Sequence, residues 1–496
     1  MTSLAALFFF LAVYLYTRAR ETEGSPVGRG VTCCWSCYGG AVLCGALAVM
    51  TKQNTAVLPV ALLLFDRYFL SPEQPRPWRQ QLLWLVPFCV APALIGIKEL
   101  VIDPQTIHGV AGNVGGVTDL VHLRNNTPLN YLVTQFTVIW LYLRLLVIPY
   151  GQALDYDVPI VVELWHWPSL LGLLGIVLLL ATAVWLRKKQ PTISAGIFWF
   201  FLALSVESTL IPLDPVFEHR LYLPMFGFAL VVMSGIGSLP RRGAVAAVAL
   251  VTAALAVLTW QRNALWGDPV VFYEDNLRRA PRSERVHLGL ANLYLERGQT
   301  AEARGLYEQA LAINPGYASI HANLAKIYAM QGDYRRAEAI LREGLSHDPA
   351  QFQLYNNLAV LYNTTGNYQA ALDVLRMAVR MKPEEPLVYL NLGMAYHGMG
   401  LLDQAMQHYR RSIELGPADP KGYFFLGNAL LDKGDAGGAR QQYTAAYRLD
   451  PKHAGIVYRL ALVSLELGDM TAARNYAEQL QRLDPKLASQ LAARMR

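Results

Sequence analysis

The chain has 496 residues, 53% of them hydrophobic, a mean hydropathy of +0.24 and a formal charge of +6. A charge this mild does not supply the basic surface on which nucleic-acid binding rests, so no nucleic-acid partner is expected. The five cysteines, Cys33, Cys34, Cys37, Cys44 and Cys89, all lie near the N-terminus and give no disulfide framework.

Hydrophobicity is unevenly spread. Residues 1–260 hold the long apolar runs, and residues 270–496 hold dense charge and no cysteine. A membrane span takes about 20 mostly apolar residues. Thr2–Thr17 is the first such run and is slightly short; Arg18, Arg20 and Arg29 follow it, which places that end in the cytoplasm. No basic residue precedes it, unlike a signal peptide. Cys34-Trp35-Ser36-Cys37 has C-x-x-C spacing, but two further ligands or a thioredoxin-like context are not evident, and small apolar packing residues are the favoured reading.

Trp35–Met50 and Thr55–Leu70 read as a hairpin around Thr51-Lys52-Gln53-Asn54, with Arg67, Arg76 and Arg79 marking a second cytoplasmic loop. Leu82–Ile102 runs outward, and His108–Asn130 is polar. Tyr131–Pro149 is apolar but carries Thr134, Gln135 and Arg144. Gln152–Trp165 contains Asp155, Asp157 and Glu163 with no Lys or Arg. Ser169–Leu186 ends at Arg187-Lys188-Lys189, Ile193–Leu210 and Leu221–Leu239 flank a charged hairpin, and Ala244–Trp260 follows Arg241-Arg242. The basic clusters place Asp155–Glu163, Val206–Pro224 and everything after Trp260 on the outer side. Both ends of Tyr131–Pro149 then face outward, so this segment is expected to lie along the outer interface or re-enter, leaving eight crossings. Val206–Pro224 concentrates Glu207, Asp214, Glu218, His219 and Arg220; ionisable groups so close to a bilayer serve either a site or a structural ion pair.

The second half repeats. Gly298, Gly332, Gly366, Gly400, Gly434 and Gly468 recur every 34 residues. So do Pro281, Pro315, Pro349, Pro383, Pro417, Pro451 and Pro485, and Ala303, Ala337, Ala371, Ala405, Ala439 and Ala473. Three registers sharing one period are the signature of tetratricopeptide (TPR) helix pairs. Glycine ends the first helix through a positive-φ turn, alanine permits close helix approach, and proline stops the second helix. Six repeats are expected over 284–487, with Tyr294, Tyr328, Tyr362 and Tyr396 at one core position and a capping helix at 488–496. Asn323, Asn357 and Asn391 share one position on successive first helices, which line the groove in this repeat class; such a row can hold the backbone of an extended peptide, although asparagine is also common there in the repeat consensus. Asn125-Asn126-Thr127 and Asn363-Thr364-Thr365 match the glycosylation triplet, a pattern that arises often by chance.

The order of parts adds to this. Met50-Thr51-Lys52 through Leu64-Phe65-Asp66, Thr134-Gln135, Leu154-Asp155-Tyr156-Asp157, Glu218-His219-Arg220-Leu221-Tyr222-Leu223-Pro224 and Arg262-Asn263 with Trp266 and Asp268 precede the repeats. Together they resemble the transmembrane and TPR protein O-mannosyltransferases and their bacterial relatives. The resemblance implies an all-α chain: a polytopic type-C glycosyltransferase-like domain at 1–262, a linker helix at 263–283 and a TPR solenoid. It implies transfer of a sugar from a polyprenyl-phosphate donor to a protein hydroxyl, aided by a catalytic acid or base and by a metal or phosphate clamp, with membrane lipids and a protein or peptide acceptor as partners. Arg220, Lys52 and Arg144 are the cations it assigns to the lipid phosphate. Tyr222 supports Arg220, and Glu218, His219, Glu207, Asp155 and Asp157 are further cavity candidates. The family's acidic motif lies in a first outer loop that has no counterpart here, so the catalytic acid is expected upstream of Met1 and the chain as it stands is expected to be N-terminally incomplete and inactive. Against this enzyme stands a second reading, a membrane-anchored TPR scaffold for envelope assembly that performs no chemistry.

Overall fold

The computed structural model describes residues 2–23, 30–70, 77–97, 127–163, 165–205, 207–208 and 214–495. Every regular element among them is helical, and the chain divides into two compact units, Met1–Gly298 and Gln299–Arg496.

The first unit contains α1 (Thr2–Glu23), α2 (Gly30–Thr51), α3 (Leu58–Phe65), α4 (Trp78–Ile97), α5 (Pro128–Val147), α6 (Trp167–Leu186), α7 (Pro191–Leu204), α8 (Pro224–Gly237), α9 (Arg241–Leu265), α10 (Pro269–Arg279) and α11 (Glu284–Glu296). Prolines at the first turn open α5, α7, α8 and α10, where the missing N–H costs nothing and the fixed φ suits the helix. Among the described residues, four helices are long and apolar enough to cross a membrane: Ser3–Glu21, Pro128–Val147, Trp167–Leu186 and Arg241–Leu265. This differs from the eight expected crossings. Thr55–Leu70 is broken into a 3-10 turn, α3 and a π turn at Asp66–Leu70, and α4 contains Pro87 and Pro92. Helices α7 and α8 have 14 residues each, or about 21 Å, short of a hydrocarbon core of about 30 Å.

Small residues let these helices meet closely. A Cβ on Gly196 of α7 would lie 2.5 Å from the carbonyl oxygen of Gly227 on α8, so the two backbones are in direct contact. Trp140 of α5 sits over Gly175 of α6 and donates its indole N–H to the Gly172 carbonyl at 2.9 Å. Helix α9 is the exception, because none of its residues is buried.

Helix α5 has the length of a span, yet the loops the sequence places outside run along its flank. Tyr131 and Gln135 bond to Glu207 and Pro215, Thr134 accepts the Val161 N–H, and Tyr142 accepts the Phe217 N–H. Residues 153–161, Glu207 and 215–217 therefore lie along its length.

The second unit holds α12 (Thr300–Ile313), α13 (Ala318–Met330), α14 (Tyr334–His347), α15 (Phe352–Thr364), α16 (Tyr368–Met381), α17 (Pro386–Gly398), α18 (Leu402–Leu415), α19 (Pro420–Asp432), α20 (Ala436–Leu449), α21 (Ala454–Glu466), α22 (Met470–Leu483) and α23 (Pro485–Arg494). The periodic glycines adopt φ between +75° and +89°, and the periodic alanines of this unit are buried. Tyr328 and Tyr362 point into the packing and donate to Glu308 and Glu338 of the preceding second helix. From α13 to α19, each first helix also packs on the next first helix, whereas the second helices of neighbouring pairs make no comparable contact among the described residues. The first helices therefore form the inner layer. The cap begins at Pro485, three residues before the expected 488, and buries Ala488 and Leu491 against Val457, Ala461 and Leu480.

Two glycines separate two causes of strain. Gly366→Ala meets no neighbour but must hold φ +78°, and should cost about 1–2 kcal/mol. Gly393→Ala keeps a helical backbone but places its Cβ 2.4 Å from the Tyr409 ring, and should cost about 1–3 kcal/mol. Circular-dichroism melts of the full chain check both, and a neutral Gly393→Ala would mean the ring moves freely.

Candidate functional site

The residues that drew attention in the sequence separate into groups with different duties. Arg220, 3% exposed, lies on the 3-10 turn Glu218–Leu221. Its Nε is 3.5 Å from Glu207 Oε2, and its Nη1 donates to the Tyr131 hydroxyl at 3.1 Å and the Pro215 carbonyl at 3.2 Å. Lys52, at the break after α2, places Nζ 3.4 Å from Glu207 Oε1; this buried ammonium has no hydrogen-bond partner. Two cations from distant segments thus share one carboxylate, which leaves one positive charge uncompensated within the trio. In apolar surroundings such an excess favours an anion. His219 stacks on Phe217 with centroids 5.0 Å apart. Burial first, and then the nearby Lys52 charge, hold its pKa below the ordinary histidine value, so the neutral ring is favoured.

Glu218 does not join this trio. Its Oε1 accepts from the Ala153 N–H at 2.9 Å and the Tyr156 hydroxyl at 2.6 Å, tying the acidic loop to the 3-10 turn. Burial, reinforced by that bond to Glu218, pushes the Tyr156 phenol well above its usual range. Asp155 accepts from the Ser283 hydroxyl at 2.7 Å, and Asn276 accepts the Leu154 N–H. Asp214 pairs with Arg285 at 2.8 Å. These groups fasten the 153–156 loop and the 214–218 turn to α10 and the start of α11. Asp157, Tyr222 and Arg144 are exposed. Among the described residues Arg144 makes no ion pair. Among the described residues, no three His, Cys, Asp or Glu side chains converge as metal ligands. Residues 108–126, 206 and 209–213 lie outside the described residues, and Cys34 is described only as part of helix α2.

A second buried charge cluster escaped sequence reasoning. Arg20, 8% exposed, donates from Nε and Nη2 to Asp66 Oδ1 at 2.9 and 2.6 Å, and Gln81 donates to Asp66 Oδ2 at 2.9 Å. Arg67 caps the chain by donating to Gln81. Asp66, only 1% exposed, opens the π turn, a conformation that often marks special sites. The available signal was Asp66 itself, an acid ending an apolar run.

In the repeats, Asn323 and Asn357 are half-buried on their first helices, but Asn391 is 5% exposed and committed. It donates to Asn356 at 2.7 Å while its carbonyl accepts from Asn363 at 3.0 Å. The row is therefore not three equivalent free amides, because the close approach of α15 and α17 draws Asn391 into the layer.

Comparison with known proteins bears on the repeats. Residues 227–456 match the family model described as Cilia and flagella-associated protein 70 C-terminal domain, and residues 426–488 match a tetratricopeptide repeat model. The helix pairs are TPR repeats. No curated protein matches the chain. Among solved structures, Pseudomonas aeruginosa pilF is 25% identical, with 42% of this chain and 97% of that one covered and a TM-score of 0.37. A thermophilic TPR protein of Thermus thermophilus is 24% identical, with coverage of 37% and 100% and a TM-score of 0.34. YrrB, a TPR protein with an unusual peptide-binding site, is 22% identical, with coverage of 38% and 97% and a TM-score of 0.29. None of these is an O-mannosyltransferase.

Breaking the Arg20–Asp66 pair strands a buried guanidinium. Asp66→Asn should cost about 3–5 kcal/mol, measured as a drop in the unfolding midpoint of the detergent-solubilised chain. An unchanged midpoint would mean water reaches Arg20.

Proposed function

We propose that this chain is a membrane-anchored TPR scaffold whose repeat array holds a protein or peptide partner. The observation that carries this reading is the continuous inner layer of first helices from α13 to α19. Exposed aromatic and basic residues at the helix ends support the anchor. Trp167 and Trp185 stand at the two ends of α6, with Lys189 lying 4.0 Å over the Trp185 ring, and Trp260 stands near the C-terminal end of α9. Such residues sit at the edges of a bilayer. The positive-inside tendency would set the basic residues 187–189 and 241–242 at the cytoplasmic edge, which supports an outer side for the repeats after α9.

A second reading, sugar transfer from a polyprenyl-phosphate donor, is favoured by the Lys52–Glu207–Arg220 trio. In it, Arg220 and Lys52 would meet the donor phosphate, and Glu207 would hold both cations in place until it arrives.

Two experiments separate these. A photo-crosslinking residue at position 360 or 387 on the inner layer should yield a discrete adduct in cells that the same residue at 369, on a second helix, does not; equal adducts at all three would refute a partner-binding groove. Arg220→Lys keeps the charge but loses the forked geometry. If the chain transfers sugar, this variant should lose most of that transfer while the crosslink at 360 persists; unchanged glycosylation removes the second reading.

A further inference from the structure

The inner layer is not uniform in charge. Four positions on each first helix, spaced three or four residues apart, form its open stripe. On α15 they are Gln353, Asn357, Val360 and Thr364, and on α17 they are Leu387, Met394 and Gly398, with Asn391 at the remaining position but buried. Neither α15 nor α17 contains an Asp, Glu, Lys or Arg. Their partners on the outer layer, α16 and α18, carry Asp373, Arg376, Arg380, Asp403, Arg410, Arg411 and Glu414. On the same stripe, charge returns at Lys326 of α13 and at Lys421 and Asp432 of α19, where Asp432 lies 2.7 Å from His397 of α17.

From this we infer that the window between Lys326 and Lys421 takes an uncharged, extended peptide segment with small or apolar side chains. The inference rests on the scaffold reading above and names the chemistry of its partner. Its chemistry follows from what lines the window. Val360 is 41% exposed and Leu387 38% exposed, so apolar side chains have surface to cover. Asn357 is half-buried and makes no hydrogen bond within the described residues, leaving both donors and an acceptor for a peptide backbone. A charged side chain entering the window would lose water and find no counter-charge, a cost a neutral one does not meet. Neighbouring first helices lie about 9 Å apart, so α13 to α19 spans about 27 Å, which an extended chain covers in about eight residues.

The test uses the full-length chain in detergent and three labelled peptides of about nine residues, acetylated and amidated. One alternates serine, alanine, threonine and valine; the others replace every third residue with lysine or with glutamate. Fluorescence anisotropy should show the neutral peptide binding at least about tenfold more tightly than either charged one, with little change from about 50 to about 500 mM NaCl. Asn357→Ala should weaken it several-fold, and Val360→Glu should shift the preference towards the lysine peptide, with circular dichroism confirming that both variants fold. If a charged peptide binds equally well or better, at a site sensitive to Val360→Glu, the window chemistry is wrong but the groove reading stands. If no peptide binds and the crosslink at 360 is also absent, both fall.

Discussion

A charge removed from water must find an opposite charge or a dipole, and in this chain the partner comes from far away in sequence. Arg20 reaches Asp66, Lys52 and Arg220 reach Glu207, and Glu218 reaches the backbone of Ala153. Each pairing fixes one helix end against another in a unit whose apolar packing alone offers little direction. The glycine contacts between α7 and α8 and between α5 and α6 then set how closely the helices approach. Without the ion pairs, the apolar faces of the unit would have many comparable ways to slide past each other.

The repeat unit obeys a different logic. Its determinants are local and recur at a fixed interval, so they could be read directly. The glycines take positive φ, the alanines are buried and the prolines fall after second helices, as their chemistry demands. Only the finer reading of the asparagine row needed coordinates. Asn391 looks like Asn357 in sequence, yet it is drawn into the layer by Asn356 and Asn363, and nothing local distinguishes the two.

The apolar unit was legible in outline only. Periodicity and charge located the segments, but a run such as Thr55–Leu70 does not announce that it is broken by a π turn, nor does Ile193–Leu210 announce that its helix stops at Leu204. Likewise the hairpin charges were visible, but not their division of labour. Glu218, Asp155 and Asp214 brace loops, while Glu207 stands between two cations. Such assignments depend on which segments fold back together, and a single sequence carries little record of that. That Lys52 and Arg220 meet at the Glu207 carboxylate is likewise visible only in the fold.

Helix α9 has no side chain in the interior of the unit. It is therefore exempt from the jigsaw requirement that binds every other long helix here. Its alanines, valines and leucines are interchangeable in any order, provided the run stays oily and keeps its length. A stretch governed by average greasiness instead of shape can be rewritten almost freely by mutation, while the packed helices beside it cannot.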